Sequence, residues 1–434
     1  TPAYMTKVNG MAVTFAMDLK FVAVDKPDGY SRQKAKELLD SYAGTDDNSD
    51  AANNTAITDK SDYPNIIVVM DEAFSDLSVL GDFDTNTDYM PFVHSLEKGN
   101  ENTITGYLNT SVCGGNTADT EFEFLTGNTM AFLPTGSVPY QQFLNGAMPS
   151  LASQLGKLGY QTAALHPYYS TGWNRDKVYQ YLGFDSEYFR DTGDFPDATL
   201  LRGWVDDESA FDKLIELYEE KEEGSPLFAF EVTMQNHGGY SKEYEDLTNE
   251  IQFSDAGEDL RSVHQVQIEA TEKYLTLIKK TDEAFENLID YFQDEDEKTI
   301  ILMFGDHQPA EYITNSVLRV LGEDTATRND TTDKLKTSYK VPFVMWANYD
   351  IEEKEVDAGL EKTGYQSWLE KLQQQYPVVT ANFYQGTDGT FQQWSNEKQS
   401  GILNDYAILQ YNNLVDKKHR IKNFFADISE KALE

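Results

Sequence analysis

One cysteine in 434 residues excludes any intrachain disulfide. That scarcity leaves the compartment open, because cytoplasmic proteins share it with the exported proteins of bacteria that do without disulfides. Positive charge is also in short supply: 35 Lys and Arg face 74 Asp and Glu, a formal net charge of −39. The shortage excludes the cationic footprint of a nucleic-acid binder and a polybasic membrane patch. Long apolar runs are missing too. None approaches the ~20 residues of a spanning helix, and the opening TPAYMTKVNG lacks the charged and apolar regions of a signal peptide. The chain does not start with Met, so it reads as a processed or trimmed piece.

What is present is enough apolar material, 40% of residues, for a large core arranged as one large domain or a few smaller ones. Residues 1–62 read as a lead segment with a short helix beginning near Ser31, then an acidic, small and polar linker over 44–62. A compositional shift at Tyr63-Pro64 opens the main domain. From there NIIVVM (65–70), LFAFEVTM (227–234), TIILMFG (299–305) and KVPFVMWAN (340–348) read as buried strands. They are short, continuous and rich in Val, Ile, Leu and Phe, without period-two alternation. Helical patterns lie between them, at MPFVHSLEKG, in the segment beginning TADTEFEFL, at the front of LASQLGKLGYQTAAL, and over 264–293. Alternating strands and helices predict an α/β fold, a mostly parallel sheet with helices on both faces over 63–350. Residues 351–434 read as a mainly helical C-terminal extension with a turn at QGTDGT and no catalytic pattern.

Open α/β sheets place ligands at the C-terminal ends of their strands, and the polar residues there are distinctive. Glu72 ends NIIVVMDE, where it reads equally as a metal ligand or as a cap for the next turn. Asp306-His307 follow Gly305, which permits a tight exit; the alternative is that Asp306 merely caps the turn. Thr117 follows Gly114-Gly115-Asn116 at the start of a helix, whose positive end favours an anion. Two carboxylates, an imidazole and a hydroxyl form a candidate metal site around a nucleophile. Cys113 beside them reads as a packed small hydrophobe. Of six histidines, His166 and His237 also sit at strand ends, whereas His94, His264 and His419 fall on predicted helices with exposed company. Arg175, in WNRD, is a phosphate ligand or a helix-start ion pair. The spacing of Asp82, Asp84, Asn86 and Asp88 imitates an EF-hand, but Thr87 and Val93 stand where Gly and Glu are required.

Taken in order, NIIVVMDEAFSDL, GGNTADTEFEFLTG, ALHPYYSTGWNRDKVYQYLGFD, MQNHGGY and MFGDHQP resemble the extracellular catalytic domains of lipoteichoic acid synthase-type phosphoglycerol transferases. These belong to the sulfatase-like branch of the alkaline phosphatase superfamily. The resemblance covers about residues 63–350 and implies a sulfatase-like fold. It also implies one divalent ion, typically Mn²⁺, held by Glu72, Thr117, Asp306 and His307; Mg²⁺ and Zn²⁺ also suit this oxygen-rich set. Thr117 is implied to be the nucleophile, His237 to bind phosphate and protonate the leaving oxygen, and His166, Trp173 and Arg175 to hold the phosphoglycerol group. The implied donor is phosphatidylglycerol, and the implied acceptor a glycerol phosphate chain or a wall polysaccharide. The implied location is the outer face of a bacterial membrane, with 1–62 as the juxtamembrane linker of a missing anchor. Three departures fall around the glycerol and acceptor pockets: Tyr168 where an acidic residue is common, Gly238-Gly239 after His237, and Gln-Pro after Asp306-His307. A sulfatase proper needs a C/S-x-P-x-R frame, which Cys113-Gly-Gly-Asn-Thr lacks. A phosphoethanolamine transferase, a phosphodiesterase and a non-catalytic surface domain are the remaining alternatives.

Overall fold

The computed structural model describes residues 24–43, 63–99, 102–134, 136–254, 258–327, 337–351 and 397–421. Its strands are β1 Asn65–Asp71, β2 Thr103–Asn109, β3 Gln161–His166, β4 Ser186–Phe189, β5 Leu200–Leu201, β6 Trp204–Val205, β7 Leu227–Val232, β8 Thr299–Gly305 and β9 Lys340–Ala347. Seven of them build one sheet in the order β2-β9-β8-β1-β7-β3-β4, while β5 and β6 pair as a separate hairpin. The run β8-β1-β7-β3-β4 is parallel throughout, and β9 joins β8 antiparallel, as β2 joins β9.

The central strands are apolar on both sides because both sides are covered. In β1, Ile67 and Val69 face one core and Val68 and Met70 the other. The first core is closed by α2 (Pro91–Leu96), α7 (Asp207–Glu220), α8 (Glu258–Gln293) and α9 (Glu311–Val320). The second is closed by α3 (Thr117–Thr126), the short α4 (Pro139–Gln142), α5 (Leu151–Leu158) and α6 (Arg175–Leu182). The remaining helices, α1 (Arg32–Ala43) and α10 (Glu397–Gln410), come from the two ends of the chain. They share a small core of Tyr30, Ala35, Leu38, Ile408 and Leu409. That pair is tied to the main body behind α3: the Gln410 amide bonds both backbone groups of Thr129 at 2.8 Å. The linker at 44–62 and the turn at QGTDGT lie outside the described residues.

Two strands of the main sheet went unpredicted, as did the β5–β6 hairpin. TITGYLN forms β2, an edge strand whose side chains are mostly only half-buried, so it carries no continuous apolar signal. SEYF forms β4, four residues long. His419 is on a bend rather than a helix and pairs with Asp416 at 2.8 Å. His264 interrupts α8 with non-helical backbone. No helix among the described residues is long and apolar enough to cross a membrane.

Candidate active site

Because β1, β3, β7 and β8 are adjacent and parallel, their C-terminal ends open at one edge of the sheet. The exit of β1 is held under constraint. Ala73 adopts the left-handed region at φ 52°, a conformation that costs a non-glycine residue energy and persists only where neighbours enforce it. The Tyr274 hydroxyl donates to the Ala73 carbonyl at 2.7 Å, and the Ala73 N–H donates to Asp306 Oδ1 at 2.7 Å. Gly305, at the end of β8, is required for room rather than for its own torsions: a Cβ there would stand 1.9 Å from the Phe74 carbonyl oxygen. This close approach brings the exits of β1 and β8, and with them Glu72 and Asp306-His307, to one point.

Thr117 arrives from the other side as the first residue of α3, after Gly114, Gly115 and Asn116, all at positive φ. Its Oγ1 is 3.4 Å from Glu72 Oε2. Ligand atoms of Glu72, Asp306 and His307 all lie within 4.8 Å of one another, and all three residues are buried. His307 Nδ1–H donates to the Gln308 carbonyl at 2.9 Å, which leaves Nε2 with a bare lone pair facing the carboxylates. Nε2 and Asp306 Oδ2 are 3.2 Å apart, yet neither has a hydrogen-bond partner. Burial and then the charge of Asp306 drive the Glu72 carboxyl well above the usual carboxylate range, with Arg175 and Thr117 opposing. Orphaned acceptors converging beside two buried carboxylates fit a divalent cation, which would relieve that repulsion. The capping alternatives do not hold here. Asp76 caps the turn after β1, and Asp306 holds the Ala73 N–H instead of its own turn.

A cleft of about 360 Å³ opens over this cluster and is lined by Thr117, His166, Trp173, Arg175 and His237 as well as by Glu72 and His307. Asp306 lies behind it, with no exposure. His166 Nδ1–H donates to the Val232 carbonyl at 2.8 Å, and its Nε2 accepts from Arg175 Nη1 at 3.1 Å. Burial first, and the Arg175 charge second, hold His166 well below the ordinary imidazole range, so it is neutral. Arg175 starts α6, but its ion pair is not local. Its Nε and Nη2 fork onto Glu121 of α3 at 3.1 and 2.5 Å, and both side chains are almost wholly buried. His237 is exposed at the cleft mouth with its ring 4.8 Å from that of Trp204. Partial burial of its ring in the cleft wall lowers its pKa; Asp306 opposes the shift, and His307 and Arg202 reinforce it.

All eight residues singled out from the sequence therefore meet at one place. Cys113 does not fit its reading: it is exposed rather than packed. Sequence reasoning missed Glu121, whose only local signal is its position one helical turn after Thr117. It also missed Trp204 and Arg202 on the β5–β6 hairpin, which nothing local connects to the site.

A family model described as Sulfatase matches residues 64–367. The chain is 32% identical over 440 residues to the "Putative cyclic beta-1,2-glucan modification protein" of Rhizobium meliloti, covering 97% of this chain and 64% of that protein. It is 25% identical over 285 residues to lipoteichoic acid synthase 1 of Bacillus subtilis, covering 64% of this chain and 42% of that one. The chain thus spans less than two thirds of the length of either relative. Among solved structures it is similar to the Streptococcus pyogenes phosphoglycerol transferase GacH in complex with sn-glycerol-1-phosphate, with a TM-score of 0.68 at 18% identity, covering 92% of this chain and 98% of that one. At that identity the likeness establishes a shared sulfatase-like fold.

Proposed function

This chain belongs to the sulfatase family, and within it we propose that the chain transfers glycerol phosphate from phosphatidylglycerol to an acceptor in the cell envelope. The acceptor is a glycerol phosphate chain or a polysaccharide, and the reaction takes place on the outer face of a bacterial membrane. The observation that carries this reading is the Thr117 hydroxyl beside Glu72, Asp306 and His307, under a cleft walled by His166, Arg175 and His237. The names of the relatives support the choice of substrate.

The cycle consists of two displacements. Thr117 Oγ bonds to phosphorus, the bond from phosphorus to the diacylglycerol oxygen breaks, and the hydroxyl proton ends on diacylglycerol. The acceptor hydroxyl then bonds to phosphorus, the Thr117 Oγ–phosphorus bond breaks, and the acceptor's proton returns to Thr117. His237, held neutral at the mouth, relays each proton. Glu72, Asp306, His307 and Thr117 would hold a divalent cation, with Mn²⁺ the first choice, whose positive charge would ease loss of the Thr117 proton and offset charge on the phosphoryl oxygens. Arg175, buried and fixed by Glu121, brings a further positive charge to the cleft floor without any reorganisation at the moment of reaction. The neutral His166 bonds Arg175 and keeps that edge of the guanidinium turned toward the cleft.

Incubation with Mn²⁺ and headgroup-labelled phosphatidylglycerol tests the proposal. Diacylglycerol release by the wild type and none by Thr117→Ala is expected. Release of phosphatidic acid, or no cleavage of this donor by the wild type, would refute it.

A further inference from the structure

The cleft continues on one side into a wall of aromatic rings that the two displacements do not use. Tyr168 and Tyr169 meet edge to face with ring centres 4.7 Å apart, Tyr168 lies 5.0 Å from Trp204, and Trp204 lies 4.8 Å from His237. Tyr169 is 56% exposed, whereas Tyr168 and Trp204 are half-buried. The wall is rigidly built. Asp191 accepts from the Ser170 N–H and hydroxyl at 2.8 and 3.0 Å. The Arg190 N–H donates to the Tyr168 carbonyl at 3.1 Å, and its guanidinium to the Gly203 carbonyl at 3.0 Å. Arg202 Nη2 donates to the carbonyls of Gln235 and His237 at 2.7 and 2.8 Å. Four loops are thus tied together, and the rings are oriented before any ligand arrives, which lowers the ordering cost of binding.

We propose that this wall is the acceptor subsite and that it binds a neutral saccharide; the inference rests on the transfer reading above and names its acceptor class. A pyranose ring has an apolar C–H face and a periphery of hydroxyls. It matches flat aromatic rings that carry a polar edge, with Asp191 and the Tyr168 and Tyr169 phenols beside them. A sugar lying on Trp204 has its hydroxyls next to His237, which is where the acceptor proton must be handled. A glycerol phosphate chain has no ring to lie on the wall, and the guanidinia of Arg190 and Arg202 are engaged with the carbonyls of Gly203, Gln235 and His237, so a saccharide is the better match. The rings also pack against one another instead of projecting singly as membrane-seated side chains do.

The test measures binding directly, with the full chain and neutral linear and cyclic β-linked gluco-oligosaccharides, by calorimetry and by Trp fluorescence. Donor cleavage by the wild type, without oligosaccharide, is run separately and reports on the transfer reading alone. The wild type should bind the oligosaccharides; Trp204→Ala and Tyr169→Ala should each weaken binding roughly tenfold, about 1.4 kcal/mol, and Trp204→Phe should retain most of it. Tyr169 is exposed enough that its variant should melt with the wild type, so a loss there is not a folding defect. The inference is overturned if the wild type binds no oligosaccharide, or if both alanine variants bind as the wild type does. It is equally overturned if poly(glycerol phosphate) competes with equal affinity, or if Tyr169→Ala loses adsorption to phosphatidylglycerol vesicles while oligosaccharide binding is absent throughout.

Discussion

Removing Glu121 should cost this protein more than removing any exposed carboxylate, and the size of the loss follows from the geometry. Glu121 accepts from Arg175 Nε and Nη2 at 3.1 and 2.5 Å and from the Tyr179 hydroxyl at 2.9 Å. The two charged side chains are 0% and 3% exposed. Glu121→Ala leaves a guanidinium and a phenol buried without their acceptor, and breaking one side of a buried pair costs about 3–5 kcal/mol. Against a total of about 5–15 kcal/mol for a domain, that is a large fraction. Glu121→Gln keeps an acceptor for part of the fork and should lose less, about 1.5–3 kcal/mol. Urea unfolding in EDTA isolates this effect from any stabilisation by metal. In the more stable Gln variant, looser Arg175 also frees His166 from its 3.1 Å bond, so KM for the donor should rise. Arg175→Met in the Glu121→Ala background should recover most of the stability, since no charge is then left alone. A loss below about 1 kcal/mol for Glu121→Ala, the range of an exposed pair, would refute the buried-fork argument.

Mn²⁺ at a hundredfold excess over its Kd should stabilise the protein by about 2.7 kcal/mol, read as a rise in Tm over the EDTA-treated sample; Asp306→Ala and His307→Ala should abolish the rise and the bound metal together. Gly305→Ala forces a Cβ into the Phe74 carbonyl, 1.9 Å away. It should cost at least about 1–3 kcal/mol and weaken Mn²⁺ binding in calorimetry, because Ala73 and Asp306 must shift. His94, between Asp76 and Asp88, has its pKa raised to about 9 although burial works against the charged form. A raised histidine stabilises fully below its unfolded value near 6.5 and loses that contribution as pH climbs through 9. Wild-type stability should therefore fall between pH 7 and 9.5 by denaturant titration, and His94→Gln should flatten the fall.

Much of this was legible in the sequence for a specific reason. NIIVVM, LFAFEV and TIILMFG are covered on both faces, so they carry unbroken apolar runs, and parallel strands deliver their C-terminal residues to one edge. Glu72, Asp306-His307, His166 and His237 could be grouped on that logic without knowing any distance. TITGYLN could not be read as a strand because it is an edge. Its Gly106 sits against the ring of Phe343, where a Cβ would be 2.8 Å away, a reason that only tertiary packing supplies. Glu121 was invisible as the partner of Arg175 because 54 residues separate them, and helical spacing predicts only near neighbours. Tyr168 stood out as a departure from the family pattern, but its contact with Trp204 depends on how a two-residue hairpin strand folds back over the cleft. Cys113 misled because small apolar character says nothing about which side of a glycine turn faces solvent.

The central claim is that Thr117 becomes covalently loaded with glycerol phosphate. Intact and peptide mass spectrometry on the wild type, given Mn²⁺ and phosphatidylglycerol but no acceptor, tests it most directly. The account predicts one glycerophosphoryl group on Thr117, lost when acceptor is added and never formed in Thr117→Ala. An adduct on another residue, or full turnover by Thr117→Ala, would contradict it and favour direct attack by the acceptor on the donor.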